Sequence, residues 1–95
     1  MTAILSLADF APHVGETFAL EAGEARLPLV LEEAKGAAGA SVREHGAFTL
    51  LFRGPADPVL PQAIYRLDRE AESHDIFLVP IARDAEGTRY EAVFN

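Results

Sequence analysis

Cysteine does not occur in the 95-residue chain. Its absence excludes a disulfide framework, a thiolate nucleophile and a thiolate metal site. Small secreted domains usually depend on such staples, so the expected setting is a reducing one and the expected location cytoplasmic. Basic residues are scarce as well. Eight Lys and Arg stand against 15 Asp and Glu, for a formal net charge of −7. A field of that sign repels phosphate backbones and anionic lipid surfaces. The arginines, at positions 26, 43, 53, 66, 69, 83 and 89, are interleaved with carboxylates and form no block. Neither nucleic acid nor a membrane is an expected partner. No apolar run approaches the roughly 18–20 residues that span a bilayer. The first residues carry no basic stretch, and Asp9 interrupts their apolar run before it could serve as a secretion signal.

Lysine is reduced to Lys35 alone. Arginine in its place suits bidentate and stacking contacts of the kind protein interfaces use. A GC-rich coding bias, also visible in the abundant Ala and Gly, accounts for the same excess without any interface.

What remains is a chain the size of one domain, residues 1–95, which folding would bury to roughly 60–65% of its unfolded surface. Six Phe, two Tyr and the aliphatic residues must supply most of its core. Residues 6–14 read as a short helix. Ser6 and Asp9 resemble a capping box, Leu7, Phe10 and Val14 share one face, and Pro12 kinks or ends it. Its expected role is a plug over one end of a sheet, with Phe10 as the anchor.

From Thr17 the pattern becomes β, with strands expected at Thr17–Glu21, Leu27–Ala34, Phe48–Arg53, Ala63–Asp68, Ile76–Arg83 and Arg89–Phe94. Six short strands within 17–94 predict a mostly β fold, a six-stranded antiparallel barrel or sandwich. Phe48, Leu50 and Phe52 point one way, as do Tyr90, Ala92 and Phe94. Ile76–Ile81 is apolar at every position and reads as a strand covered on both faces, with Pro80 at a bulge. Asp84 and Gly87 predict a hairpin between the last two strands, and Gly23 a tight turn between the first two.

Two connections are long. Residues 36–46 hold three glycines without periodicity and are expected to be mobile. Residues 54–62 hold Pro55, Pro58 and Pro61 and are expected to be stiff. A preordered loop lowers the entropy cost of docking, so Pro55, Asp57, Pro58, Val59, Leu60, Pro61 and Gln62 are the candidate partner contact. Val59 and Leu60 are either displayed as apolar contacts or buried beneath a rigid crossover.

Reactive constellations are sparse. His13, His45 and His74 lie in three separate segments with no pair at ligand spacing, so no metal is expected. Glu32 and Glu33, as neighbours on a strand, should face opposite ways and share no substrate. Ser6, Ser41 and Ser73 occupy no nucleophile elbow. There is no Gly-rich phosphate loop, so no cofactor and no catalytic residue are expected, and the chain reads as a non-enzyme.

Leu51–Pro55, Leu60–Leu67, Phe77–Ile81 and Arg89–Asn95, with Leu5–Phe10 and Val14–Phe18, resemble a family of short uncharacterised bacterial proteins classed as a domain of unknown function. The resemblance implies company with phage tail collar and tail-fibre-like proteins, hence an assembly role, and transfers no catalytic residue. The leading expectation is therefore a protein-interaction or assembly module with a protein partner or as a homo-oligomer, in a phage-tail-like bacterial system. The alternative is a small-ligand-binding barrel, although six short strands should leave an interior filled by side chains. An acid/base enzyme would need two of Asp57, Asp75, His45 and His74 to converge.

Overall fold

The computed structural model describes residues 7–36 and 47–94. Six strands, β1 (Thr17–Ala22), β2 (Ala25–Gly36), β3 (Phe48–Gly54), β4 (Ala63–Arg69), β5 (Glu72–Asp84) and β6 (Gly87–Phe94), close into a barrel in the order β1-β2-β3-β6-β5-β4. Every neighbouring pair is antiparallel. Closure leaves no unpaired sheet edge. The expected mostly β, six-stranded antiparallel barrel is what the chain forms, with strand ends extended by a few residues.

Alternation explains the core. Phe48, Leu50 and Phe52 on β3, Leu29 and Leu31 on β2, Ile76 and Leu78 on β5, and Tyr90 and Ala92 on β6 all point inward and are buried. Phe18 and Phe52 meet edge to face at 5.7 Å across the interior. Each of these Phe, Leu and Ile side chains contributes about 1.5–3 kcal/mol of transfer free energy. Together they form one core cluster.

Tight turns set the register. Gly23 at φ 62 joins β1 to β2, and Gly87 at φ 141 follows the two-residue turn from β5, both as expected. The β4–β5 hairpin turns through Glu70 and Ala71, with Glu70 at φ 55, a left-handed residue that no glycine announces. Gly87 also sits where β3 ends. A Cβ there would lie 2.2 Å from the Gly54 carbonyl oxygen, so the two backbones can approach this closely only at glycine.

The N-terminal helix is a seven-residue stretch made of two 3-10 turns, Leu7–Asp9 and Ala11–His13. Phe10 enters the barrel end against Phe48 and Phe94, 6.2 Å from each, while those two rings stack on one another at 4.4 Å. The plug is as expected, but Val14 does not share its face. It is exposed, because the chain turns extended at Val14 and so leaves the helical period. Ser6 lies outside the described residues, as do positions 37–46 of the glycine-rich connection and the final Asn95.

Two further expectations are corrected. The run Ile76–Ile81 is not covered on both faces: Ile76 and Leu78 are buried, whereas Phe77 and Ile81 are about half exposed on the barrel's outer wall. A closed barrel of this size has one interior, so only one set of alternate residues can enter it. Pro80 does mark a bulge, between Pro80 and Ala82. Glu32 and Glu33 do not face opposite ways either. A bulge between Leu31 and Glu33 inserts Glu32 as an extra residue and turns it outward too.

Candidate interaction surface

The connection from Gly54 to Ala63 crosses the barrel end opposite Phe10. Its prolines keep it out of both helix and ladder, so its backbone polar groups need partners elsewhere. Four anchors provide them. The Ala56 carbonyl accepts from Arg83 Nε at 2.6 Å and from Thr88 Oγ1 at 3.4 Å. The Leu60 N–H donates to the Tyr90 hydroxyl at 3.0 Å, and the Tyr65 hydroxyl donates to the Pro61 carbonyl. Thr88, Tyr90 and Tyr65 are buried, so the loop hangs on polar tips of core residues. Burial, and to a lesser extent Tyr90, pushes the Tyr65 phenol above its usual value, which keeps it a donor.

Among the expected contact residues, Asp57, Pro58, Val59, Pro61 and Gln62 are exposed, and Pro55 is half-buried. Val59 and Leu60 divide between the two readings. Val59 is 42% exposed, whereas Leu60 turns inward and packs on the core. Beside the loop lies a shallow groove lined by Ala56, Arg83, Asp84 and Ala85. Asp84 is held below the usual carboxylate range by the Glu86 N–H and then by Arg89.

Elsewhere the polar groups serve the barrel. Glu32 bridges Arg53 Nε at 2.9 Å and Arg89 Nε at 3.3 Å, and Arg89 continues to Asp84 and Glu86. On the opposite wall Asp68 accepts from Ser73 Oγ at 2.6 Å and from Arg66 Nε at 3.0 Å, which lowers its pKa to about 2. Ser73 is thus tied to a carboxylate, and Ser6 and Ser41 lie outside the described residues.

At the plugged end the fold gathers two histidines that the sequence separates. His13 lies 3.3 Å from Glu16 and 3.2 Å from Arg69, and His74 packs on Phe10 at 5.5 Å and lies 3.8 Å from Glu72. Arg69 ties them together through Glu16 and Glu72, with its Nε buried and without a partner among the described residues. Only the barrel register could reveal this grouping. No cluster of three or more His, Cys, Asp or Glu that could hold a metal occurs among the described residues. The structure does not bring the named acid/base candidates together: Asp57 is on the proline loop, Asp75 faces Arg66 on the outer wall, His74 is at the far end, and His45 is outside the described residues.

Most of the chain, residues 5–94, matches the model of a domain of unknown function, DUF6916. The chain belongs to the DUF6916 family. No curated protein and no solved structure matches it. For DUF6916 the matched span takes in both 3-10 turns and all six strands, so the residues that carried the resemblance are those of the barrel and its plug. No helix among the described residues of this DUF6916 chain is long and apolar enough to cross a membrane.

Proposed function

We propose that this DUF6916 chain is a non-enzymatic protein-interaction or assembly module that presents the proline loop to a protein partner or to further copies of itself. The observation that carries this reading is Val59, an exposed apolar side chain on a loop already fixed by Tyr90, Tyr65, Thr88 and Arg83. A contact held in place before docking avoids much of the ordering cost of association. Large buried side chains from all six strands line the interior, which favours a function on the outside of the barrel over a ligand held within it. The cysteine-free composition supports a cytoplasmic setting, and we extend the reading, on the company that the resemblance implies, to assembly in a tail-like bacterial system.

The test compares the wild type with Val59→Ser by light scattering across concentrations and by co-purification from the native host. The wild type should self-associate or retain a discrete protein. Val59→Ser should lose that association, with its melting temperature within a few degrees of the parent. A wild type that stays monomeric and partnerless throughout would overturn the proposal. Leu60 is unsuitable for this purpose because its substitution would disturb the core.

A further inference from the structure

The barrel's outer wall carries a second apolar surface, which begins at Ile64, just past the end of the proline loop. Ile64 on β4 stands opposite Phe77 on β5, and they are 68% and 50% exposed. Two residues further along β5, Val79 stands opposite Glu91 of β6, which stands opposite Leu51 of β3. Val93, two residues beyond Glu91, is 55% exposed. Apolar side chains from four strands thus surround Glu91, which is half-buried, with Thr49 opposite Val93 as a further polar residue of the wall.

Glu91 has no hydrogen bond or ion pair among the described residues. Its nearest cation along β6, Arg89, is already shared by Glu32, Asp84 and Glu86 at 3.3, 2.8 and 3.2 Å. This carboxylate stands among Leu51, Val79 and Val93. An apolar rim excludes water and strengthens the pull on a counterion brought in from outside.

We infer that the wall formed by β4, β5, β6 and β3 docks a protein partner whose contact surface is apolar and carries one basic side chain to meet Glu91. This deepens the interaction-module reading and rests on it. A second copy fits poorly. A symmetric contact would set like walls together, with no cation for either Glu91, between chains that each carry a net charge of −7.

Two model amphipathic helical peptides serve as probes, one of Leu and Lys and one of Leu and Glu, titrated into the isotopically labelled full chain at physiological salt. The Leu/Lys peptide should shift the amides of residues 64, 77, 79, 91 and 93, and the Leu/Glu peptide should not. Phe77→Ser should weaken binding about tenfold and Glu91→Gln about fivefold, as for loss of one apolar anchor and one charge contact. Should Phe77→Ser fold poorly, Glu91→Gln alone carries the comparison. Shifts scattered over the acidic surface, equal binding of both peptides, or binding unchanged by Glu91→Gln would each overturn the inference. So would self-association of the wild type that Phe77→Ser abolishes, which would assign the wall to a second copy. Binding that maps to the loop and vanishes in Val59→Ser would sink this wall and leave the interaction module standing; failure of both surfaces would remove both.

Discussion

The two ends of the barrel are closed by opposite means. At one end Phe10 packs against the stacked pair Phe48 and Phe94, and the closure is aromatic packing. At the other a proline loop crosses the opening and hangs from Tyr90, Tyr65, Thr88 and Arg83, so the closure is a handful of hydrogen bonds with one inward side chain, Leu60. An apolar plug contributes through the area it removes from water, whereas each neutral hydrogen bond contributes only about 1 kcal/mol net. The first end is thus built for stability. The second spends little on stability and leaves Val59 and its neighbours in water, which is the arrangement a docking loop needs.

The largest effect should come from breaking the plug. Phe10→Ala removes a fully buried ring from contact with Phe48, Phe94 and His74 and should cost about 3–5 kcal/mol, measured by urea unfolding. A cost of less than about 1 kcal/mol would show that the plug is dispensable and that the two ends do not differ. Next comes the close backbone approach beneath the proline loop. Gly87→Ala places a Cβ against the Gly54 carbonyl at a left-handed backbone position and should cost about 3 kcal/mol. Amide exchange should then quicken in the β5–β6 hairpin before it does around Phe10, since the strain enters at the loop end.

How much of this the sequence revealed depended on the range of the interaction responsible. The inward faces of β3 and β6 were legible because alternation is local, and so were the glycine turns at Gly23 and Gly87. The outward exposure of Phe77 and Ile81 was not, since an all-apolar run looks the same whether one face or two are covered. The bulge at Glu32 reversed a parity rule that assumes an unbroken strand, and Glu70 turned a hairpin without the residue that usually signals it. At the candidate site the exposure of Asp57, Pro58, Val59, Pro61 and Gln62 agrees with a loop that its prolines keep out of the ladder. The fastening of that loop was not legible, because Leu60 meets Tyr90 only once the register of β3 against β6 brings them together. The same holds for Glu91, whose isolation exists only in the barrel.

A smaller effect should follow from loosening the loop alone. Tyr90→Phe keeps the buried ring and deletes the hydroxyl that accepts from Leu60, at a cost of about 1–2 kcal/mol. Exchange of the Leu60 amide should rise well above that of amides near Phe10. If it rises equally at both ends, the loop is not an independent closure.

The smallest effect concerns acid, and it separates the ends by chemistry. The Ser73 hydroxyl, and after it Arg66, hold the Asp68 carboxyl at about 2, below its ordinary 3.8. A carboxyl depressed in the folded state adds stability that is fully present above the ordinary value and is lost as pH falls through the depressed one. The contribution of Asp68 should therefore fade between about pH 4 and pH 2, loosening the β4–β5 hairpin that carries Arg69 and His74 beside the plug. The loop's own fastenings, a phenol, a hydroxyl, a guanidinium and backbone groups, do not change charge in that range. Amide exchange followed across it should show Ser73 and Arg69 losing protection while Leu60 keeps its own, and Asp68→Asn should flatten the difference. Loss of Leu60 protection in step with Ser73 would mean that the two closures open as one unit, and that their different construction has no thermodynamic consequence.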